Sequence, residues 1–76
     1  MQELITYIAK SLVDAPDDVQ VTVTEEDDTI LVDLAVAKDD LGKVIGKQGR
    51  TARAMRSLLS AAAGKDDKKS RLNILE

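Results

Sequence analysis

The residues best suited to chemistry form a short segment bracketed by glycines, Gly46-Lys47-Gln48-Gly49, with Arg50 directly after it. Glycines at both ends let the backbone adopt φ values closed to other residues and let another molecule approach closely. A helical pattern follows, and the free N–H groups and positive dipole end of a helix attract anions. Because a lysine and an arginine add positive charge at the same place, the segment predicts a site for a polyanion such as a nucleic-acid backbone.

Two well-known phosphate-binding patterns fail at this segment. A Walker A loop has four residues between its glycines and a Ser or Thr after its lysine, but only three residues separate Gly42 from Gly46, and Gln48 stands where the hydroxyl is needed. A Rossmann Gly-x-Gly-x-x-Gly is absent because Val44 replaces a glycine. Two interpretations remain: a KH-type turn between two helices, which clamps about four nucleotides, and a plain helical corner, which leaves the basic residues unexplained.

Hydrophobic periodicity predicts the elements that surround the turn. In chain order these are a helix over 2–14, strands over 19–24 and 29–37 joined by a polar turn over 25–28, a short helix to about residue 45, a helix over about 50–63 and a strand over 71–75. Asp39 or Asp40 can cap the short helix, and Gly64 is placed as the C-cap of the long one. The order α-β-β-α-α-β predicts an α+β sandwich of two layers, with the helices on one face of an antiparallel hairpin and a third strand.

The predicted core is the set of apolar residues that recur on one side of each element. It comprises Leu4, Ile5, Ile8 and Leu12, then Val19, Val21 and Val23, then Ile30, Val32, Leu34 and Val36, then Ala52, Met55, Leu58, Leu59 and Ala62, and finally Leu72 and Ile74.

Composition narrows the classes of function. The 76 residues make one small domain, residues 1–76, and the absence of Cys and His excludes disulfides, thiolate or imidazole ligands and His-based catalysis. A single aromatic residue, Tyr7, excludes an aromatic stacking platform. The net charge is −3, yet the window from Lys38 to Arg56 holds six basic and two acidic residues, so it carries +4 against −7 elsewhere. Screening over about 8 Å lets such a patch act within an acidic molecule.

Enzymatic and membrane functions have little support in the sequence. The acidic pairs Asp39-Asp40 and Asp66-Asp67 could be imagined as metal ligands, but adjacent acids in a loop or a helix cap are mostly solvated. No nucleophile–base pair is visible, so we expect neither catalysis, nor a metal, nor a cofactor. No segment has the apolar length of a membrane span, and residues 1–3 lack a signal-peptide layout. We therefore expect a cytoplasmic protein.

Residues 41–50, Leu-Gly-Lys-Val-Ile-Gly-Lys-Gln-Gly-Arg, resemble the KH-domain signature, and the chain over its whole length resembles the KhpA family of small bacterial RNA-binding proteins. The resemblance implies a type II KH fold with a three-stranded mixed sheet whose last strand runs parallel to the first. It also implies non-catalytic RNA binding, as a post-transcriptional regulator or RNA chaperone, and self-association. A second KH protein of the KhpB type is a further implied partner.

The site follows from these residues. The N–H groups of residues 46–49 are expected to contact phosphates of single-stranded RNA. Charge is expected from Lys47 and, around it, from Lys43, Arg50 and Arg53, while Val44, Ile45, Ala52 and aliphatic residues of the second strand form the floor of a groove for the bases. Many KH domains have a bulky aliphatic residue at the position of Ala52.

Weak binding by one such domain gives a physical motive for a homodimer. The apolar surplus around Val44, Ala52 and the long helix is one candidate interface. The alternative function is a KH-fold adaptor for protein interactions with little RNA binding, which the acidic exterior favours and the Gly-Lys-Gln-Gly turn opposes.

Overall fold

Three α-helices lie against one face of a three-stranded sheet in the computed structural model, which describes residues 2–75. The elements are α1 Gln2–Leu12, β1 Gln20–Glu26, β2 Thr29–Ala35, α2 Leu41–Ile45, α3 Arg50–Gly64 and β3 Lys69–Leu75, with short 3-10 turns at Pro16–Asp18, Lys38–Asp40 and Lys47–Gly49. The predicted α+β class and the order α-β-β-α-α-β are confirmed. Within residues 2–75, no helix has both the length and the apolar character that crossing a membrane requires.

The hairpin of β1 and β2 is antiparallel, as its alternating sequence predicts. Pairing continues to Glu26 opposite Thr29, so the turn predicted over 25–28 shrinks to Asp27 and Asp28. Asp27 has a φ of 53°, a left-handed conformation that aspartate tolerates better than most residues and that tight two-residue hairpins require. The turn therefore extends β1 two residues beyond its predicted end, whereas β2 begins at Thr29 as predicted and ends at Ala35, two residues before its predicted end.

The last strand lies beside the second one. The sheet order is β1-β2-β3, with β3 parallel to β2 and β2 antiparallel to β1. Hence β3 runs opposite to β1, and the expectation that the last strand runs parallel to the first is wrong. The chain leaves the carboxyl end of β2 and returns through two helices, which is the crossover that joins parallel neighbours.

The core is one cluster between the helices and the inner face of the sheet. Its buried members are Ile5, Ala9, Ile30, Val32, Leu34, Val44, Met55, Leu59, Ala63 and Leu72. Three of the predicted core residues, Leu4, Leu12 and Leu58, are instead exposed. The apolar stripe of each helix is wider than the strip that the sheet covers. Hydrophobic periodicity therefore predicts which side of a helix is buried, but not which residues at the edges of that side are exposed.

The end of α3 differs from its predicted form. Gly64 is the last helical residue rather than a left-handed cap, and the left-handed residue is Asp67, with a φ of 58°. The Lys68 N–H donates to the Ala63 carbonyl at 2.9 Å, and the Lys68 ammonium pairs with the Glu25 carboxylate at 2.7 Å. This reversal brings the chain into β3 two residues before the hydrophobic pattern begins.

Candidate nucleic-acid interface

The glycine turn between α2 and α3 depends on two left-handed glycines. Gly46 has φ 78° and ψ 170°, a region that only glycine occupies readily. A Cβ at this position would overlap the Thr51 side chain and lie 2.8 Å from the Thr51 backbone nitrogen. Gly49 has φ 72° and ψ 15° with open space where its Cβ would be. Gly46 is thus required both for its positive φ and for the close approach of Thr51, whereas Gly49 is required for its positive φ alone.

The N–H groups of the turn divide into two sets. The Gly46 N–H donates to the Gly42 carbonyl at 2.9 Å, and the Gly49 N–H donates to the Gly46 carbonyl at 3.1 Å. The N–H groups of Lys47 and Gln48 have no acceptor among the hydrogen bonds of residues 2–75. Forming the turn uses the two glycine amides, so of the four amides of residues 46–49 that were expected to contact phosphate, only those of Lys47 and Gln48 remain free for a ligand.

Arginines of α3 support the turn from the other side. A guanidinium nitrogen of Arg53 donates to the Gln48 carbonyl at 2.8 Å, and one of Arg50 lies 3.4 Å from the Gln48 side-chain oxygen. Both partners are neutral oxygens, so neither hydrogen bond offsets the positive charge of its arginine. Lys47, Gln48, Arg50 and Arg53 are all exposed. The structure therefore brings four of the predicted site residues together on one surface.

Lys43, on the α2 side of the turn, is held by acids. Its ammonium forms an ion pair with the Asp14 carboxylate and lies 3.5 Å from a carboxylate oxygen of Asp40. Asp40 is only 2% exposed, and its carboxylate accepts hydrogen bonds from the N–H groups of Asp14 at 3.2 Å and Ala15 at 3.0 Å. The charge of Lys43 is compensated locally, so it adds less to the positive field than its position in the sequence predicts.

Asp40 occupies the N-cap position of α2, but its side chain makes no capping hydrogen bond. The prediction that the Asp40 side chain caps α2 is thus wrong, because its carboxylate accepts hydrogen bonds from the segment after α1 instead. Burial would raise the pKa of this carboxyl, but the hydrogen bonds from Asp14 and Ala15 and the charge of Lys43 outweigh it, so the pKa lies below its usual 3.8. The hydrogen bond to Asp14 raises the pKa of Lys43 above its usual 10.5.

The predicted groove floor is mostly inaccessible. Val44 is 0% exposed and Ala52 is 3% exposed, since both face inward from their helices. Their assignment as base-contacting residues is corrected, and they support the turn from beneath. Ile45, at 36% exposed, is the member of this set that reaches the surface. Beyond the end of β2, Val36 lines a separate cleft of about 630 Å³ with Lys38, Leu41 and Leu75.

A cleft of about 430 Å³ lies between α3 and β3. Its lining residues are Arg56, Ser60, Ser70, Arg71, Leu72 and Asn73. Arg53, Arg56 and Ser60 are spaced i, i+3 and i+7 and therefore share one side of α3, so the cleft continues the surface of the turn. Sequence reasoning did not place these cleft residues in the site. The spacing of Arg53, Arg56 and Ser60 could have identified the wall of the cleft that α3 forms. The wall that β3 forms depends on the strand order of the sheet.

Two helices joined by a Gly-x-x-Gly turn and packed on a three-stranded mixed sheet define a KH domain. The family described as KhpA/KhpB, KH domain, matches residues 2–74. RNA-binding protein KhpA of Listeria monocytogenes is 53% identical over 76 residues, which are 100% of both chains. Proteins of the same name from Halalkalibacterium halodurans and Chlamydia trachomatis are 49% and 46% identical over 76 residues, covering 100% of this chain and 100% and 97% of theirs. The chain belongs to the KhpA/KhpB family, as the resemblance predicted.

Proposed function

We propose that this protein binds single-stranded RNA, without catalysis, on the surface formed by the glycine turn and the adjoining side of α3. The observation that carries the proposal is the pair of free N–H groups at Lys47 and Gln48, surrounded by the charges of Lys47, Arg50 and Arg53. Free amides and unpaired cations together bind phosphate. The RNA-binding names of the relatives support the same chemistry.

The cleft between α3 and β3 provides the place for bases. β3 is an edge strand, and its Leu72 carbonyl accepts a hydrogen bond from Arg56 at 3.4 Å. Its outer edge therefore presents backbone groups to the cleft. Bases must be unpaired to reach such an edge, so we expect single-stranded RNA to bind better than duplex. The protein then serves as a post-transcriptional regulator or RNA chaperone in the cytoplasm.

The first test changes Lys47 and Gln48 together to Asp, which puts two negative charges against the phosphates and keeps both glycines. RNA affinity, measured by fluorescence anisotropy with a labelled octamer, falls at least tenfold, or about 1.4 kcal/mol. The control, Lys10→Asp together with Gln20→Asp, makes the same change in net charge at exposed positions on α1 and β1. Its RNA affinity should fall much less.

Circular dichroism checks that both double variants remain folded. Unchanged RNA affinity in a folded Lys47→Asp, Gln48→Asp protein would overturn the assignment of the site. If the wild type binds no RNA octamer, the alternative of a KH-fold interaction adaptor takes its place.

We further propose that the working species is a homodimer formed through the exposed apolar side of the helices. Leu58 on α3 is 47% exposed, and Leu4 and Tyr7 on α1 are 39% and 73% exposed. Leu58 is two residues from Arg56, about 200° around the helix, so it lies away from the cleft. A dimer built on this surface leaves both RNA sites open, and two sites on one RNA gain affinity through effective concentration.

Sedimentation equilibrium at micromolar concentration tests the dimer. We expect about twice the 8.2 kDa chain mass for the wild type and the monomer mass for Leu58→Lys, whose ammonium would be buried without a partner. A wild-type monomer at hundreds of micromolar, with RNA affinity unchanged when two copies are tethered, contradicts the homodimer. A KhpB-type KH protein is then the partner to test.

A further inference from the structure

The two edges of the sheet differ in how far they are protected from a further strand. β3 carries exposed cations at Lys69 and Arg71, and its Leu72 carbonyl accepts a hydrogen bond from Arg56. β1, Gln20–Glu26, contains no lysine, arginine or proline, and it pairs with β2 through every residue without a bulge. Proteins blunt an exposed edge with lysine, proline or a bulge, because its unpaired backbone groups bind other strands. β1 is therefore the edge left open to a partner.

Alternate residues of β1 direct their backbone groups away from the sheet. The hairpin turn has two residues, so Glu26 and Thr29 form a hydrogen-bonded pair, and the backbone direction alternates from there. The residues that face outward are consequently Val21, Val23 and Glu25. The Val21 carbonyl supports this geometry, because it accepts a hydrogen bond from the Gln2 side chain of α1 at 3.0 Å. The other outward N–H and C=O groups have no partner among the hydrogen bonds of residues 2–75.

The charges at the two ends of β1 favour one kind of added strand. Five exposed acids flank the strand, namely Asp17 and Asp18 before it and Glu26, Asp27 and Asp28 at its far end. None of the five forms an ion pair within residues 2–75, whereas the Glu25 carboxylate pairs with the Lys68 ammonium at 2.7 Å. Basic residues at both ends of an added strand would be attracted by these acids, and acidic ends would be repelled.

The same charges disfavour β1 of a second copy as the added strand. A two-fold antiparallel pair centred on Val23 would place Asp28 of each copy opposite Asp18 of the other. Like charges directly opposite one another destabilise a sheet, and the repulsion would act at both ends of the pair. The free edge therefore fits a partner of opposite charge better than a second copy of this chain.

We propose that β1 is a docking edge for an extended, cationic segment of another protein, which adds to the sheet as a fourth strand. Backbone hydrogen bonds to Val21, Val23 and Glu25 give the affinity, and basic residues at the ends of the segment give the selectivity. β1 and β3 are opposite edges of the sheet, about 10 Å apart. The inference is independent of the proposed RNA binding, because a segment on β1 leaves the turn and the α3 surface free.

The first test measures amide hydrogen exchange by NMR in the full chain, with a peptide in which threonine and valine alternate between two pairs of lysines. In the free protein we expect slow exchange at Thr22 and Thr24, which face β2, and fast exchange at Val21, Val23 and Glu25. Saturating peptide should slow the three outward amides about tenfold or more. Unchanged exchange at all three overturns the docking edge. Slowing that appears without peptide as the protein is concentrated assigns the edge to a second copy instead.

Modified peptides test the pairing without changing the protein. N-methylation of alternate residues blocks the N–H groups on one edge of the peptide, and N-methylation of the intervening residues blocks the other edge. One of these peptides should lose binding and the other retain it, because only one edge of an added strand faces β1. Equal binding by both overturns strand addition. A peptide with glutamate in place of the lysines should bind about tenfold more weakly, and equal binding overturns the charge selection.

A pair of double variants tests the acids. Glu26→Gln with Asp17→Asn removes one acid at each end of β1 and should weaken binding of the lysine peptide about three- to fivefold. Asp39→Asn with Asp66→Asn makes the same charge change at exposed positions elsewhere and should weaken it less than twofold. Equal losses would mean that the peptide responds to net charge alone, which overturns the assignment to β1.

The last measurement separates this edge from the RNA surface. RNA affinity with and without saturating peptide should agree within about twofold, since the two ligands occupy opposite edges of the sheet. Competition between peptide and RNA would place the peptide at the glycine turn and overturn the docking edge, while leaving RNA binding intact.

Discussion

The two sides of the glycine turn carry similar basic residues in different electrostatic settings. On the α2 side, Lys43 is paired with Asp14 and lies near Asp40. On the α3 side, the side-chain hydrogen bonds that Arg50 and Arg53 form within residues 2–75 go to the neutral Gln48. Pairing with carboxylates removes most of the field of a cation beyond its partner, whereas hydrogen bonds to neutral oxygens leave it intact. The charge on the α2 side is therefore used in contacts within the domain, and the charge on the α3 side is left for the proposed RNA site.

The two glycines of the turn repeat this contrast. Gly46, next to α2, is packed against Thr51 in a conformation nearly exclusive to glycine, whereas Gly49, next to α3, has free space around it. One end of the motif is thus constrained by packing within the domain. The other end needs only a left-handed backbone, which asparagine also tolerates.

The largest expected difference between the two sides is in the free energy of unfolding. Gly46→Ala should lower it by roughly 2–4 kcal/mol, because strain in φ and overlap with Thr51 add together. Gly49→Ala should lower it by about 1 kcal/mol for the left-handed conformation alone. Urea denaturation at one fixed protein concentration measures both, with Gly49→Asn as a control expected to lie near the wild type. Equal losses in the two alanine variants would show that the Thr51 contact relaxes freely.

A smaller difference is expected in RNA affinity. Arg50→Gln should weaken binding about three- to fivefold, since it removes an uncompensated charge beside the phosphates, whereas Lys43→Gln should change it less than twofold. The wild-type slope of log affinity against log salt should be near −2 to −3, for about three or four phosphate contacts at roughly −0.7 each. Arg50→Gln should reduce its magnitude by about 0.7.

Salt titrations followed by fluorescence anisotropy measure the slopes for the wild type, Arg50→Gln and Lys43→Gln. An affinity loss in Lys43→Gln as large as that in Arg50→Gln would mean that RNA displaces Asp14 from Lys43. A wild-type slope near −8 would mean a much larger basic surface.

The smallest expected effect is on the pH dependence of stability. The pKa of Asp40 is lowered in the folded state, so its ionised form stabilises the fold above the usual pKa of 3.8 and this contribution is lost as pH falls through the lower folded-state value. The melting temperature measured from pH 7 to pH 2.5 should fall less steeply in Asp40→Asn than in the wild type. The neighbouring Asp39→Asn, at an exposed position, should keep the wild-type profile. An identical profile in Asp40→Asn would remove this carboxylate from the acid response.

The local features of the fold were predictable because they depend on residues close in the chain. Alternation in β1 and β2, helical spacing in α3 and the glycines at 46 and 49 each encode a backbone conformation directly. The signature at residues 41–50 therefore located the turn, and the exposed basic residues beside it followed from their place on α3.

Contacts between distant residues decided the rest. The carboxylate of Asp40 binds backbone amides 25 and 26 residues earlier in the chain, and Lys43 pairs with Asp14 across 29 residues. The parallel placement of β3 beside β2 sets Leu72 opposite Arg56, which creates the cleft. Val44 likewise belongs to the core because α2 packs against distant parts of the chain. Local patterns determine periodicity and turn geometry, whereas ion pairing, burial and the walls of the cleft depend on which surfaces meet after the chain has folded.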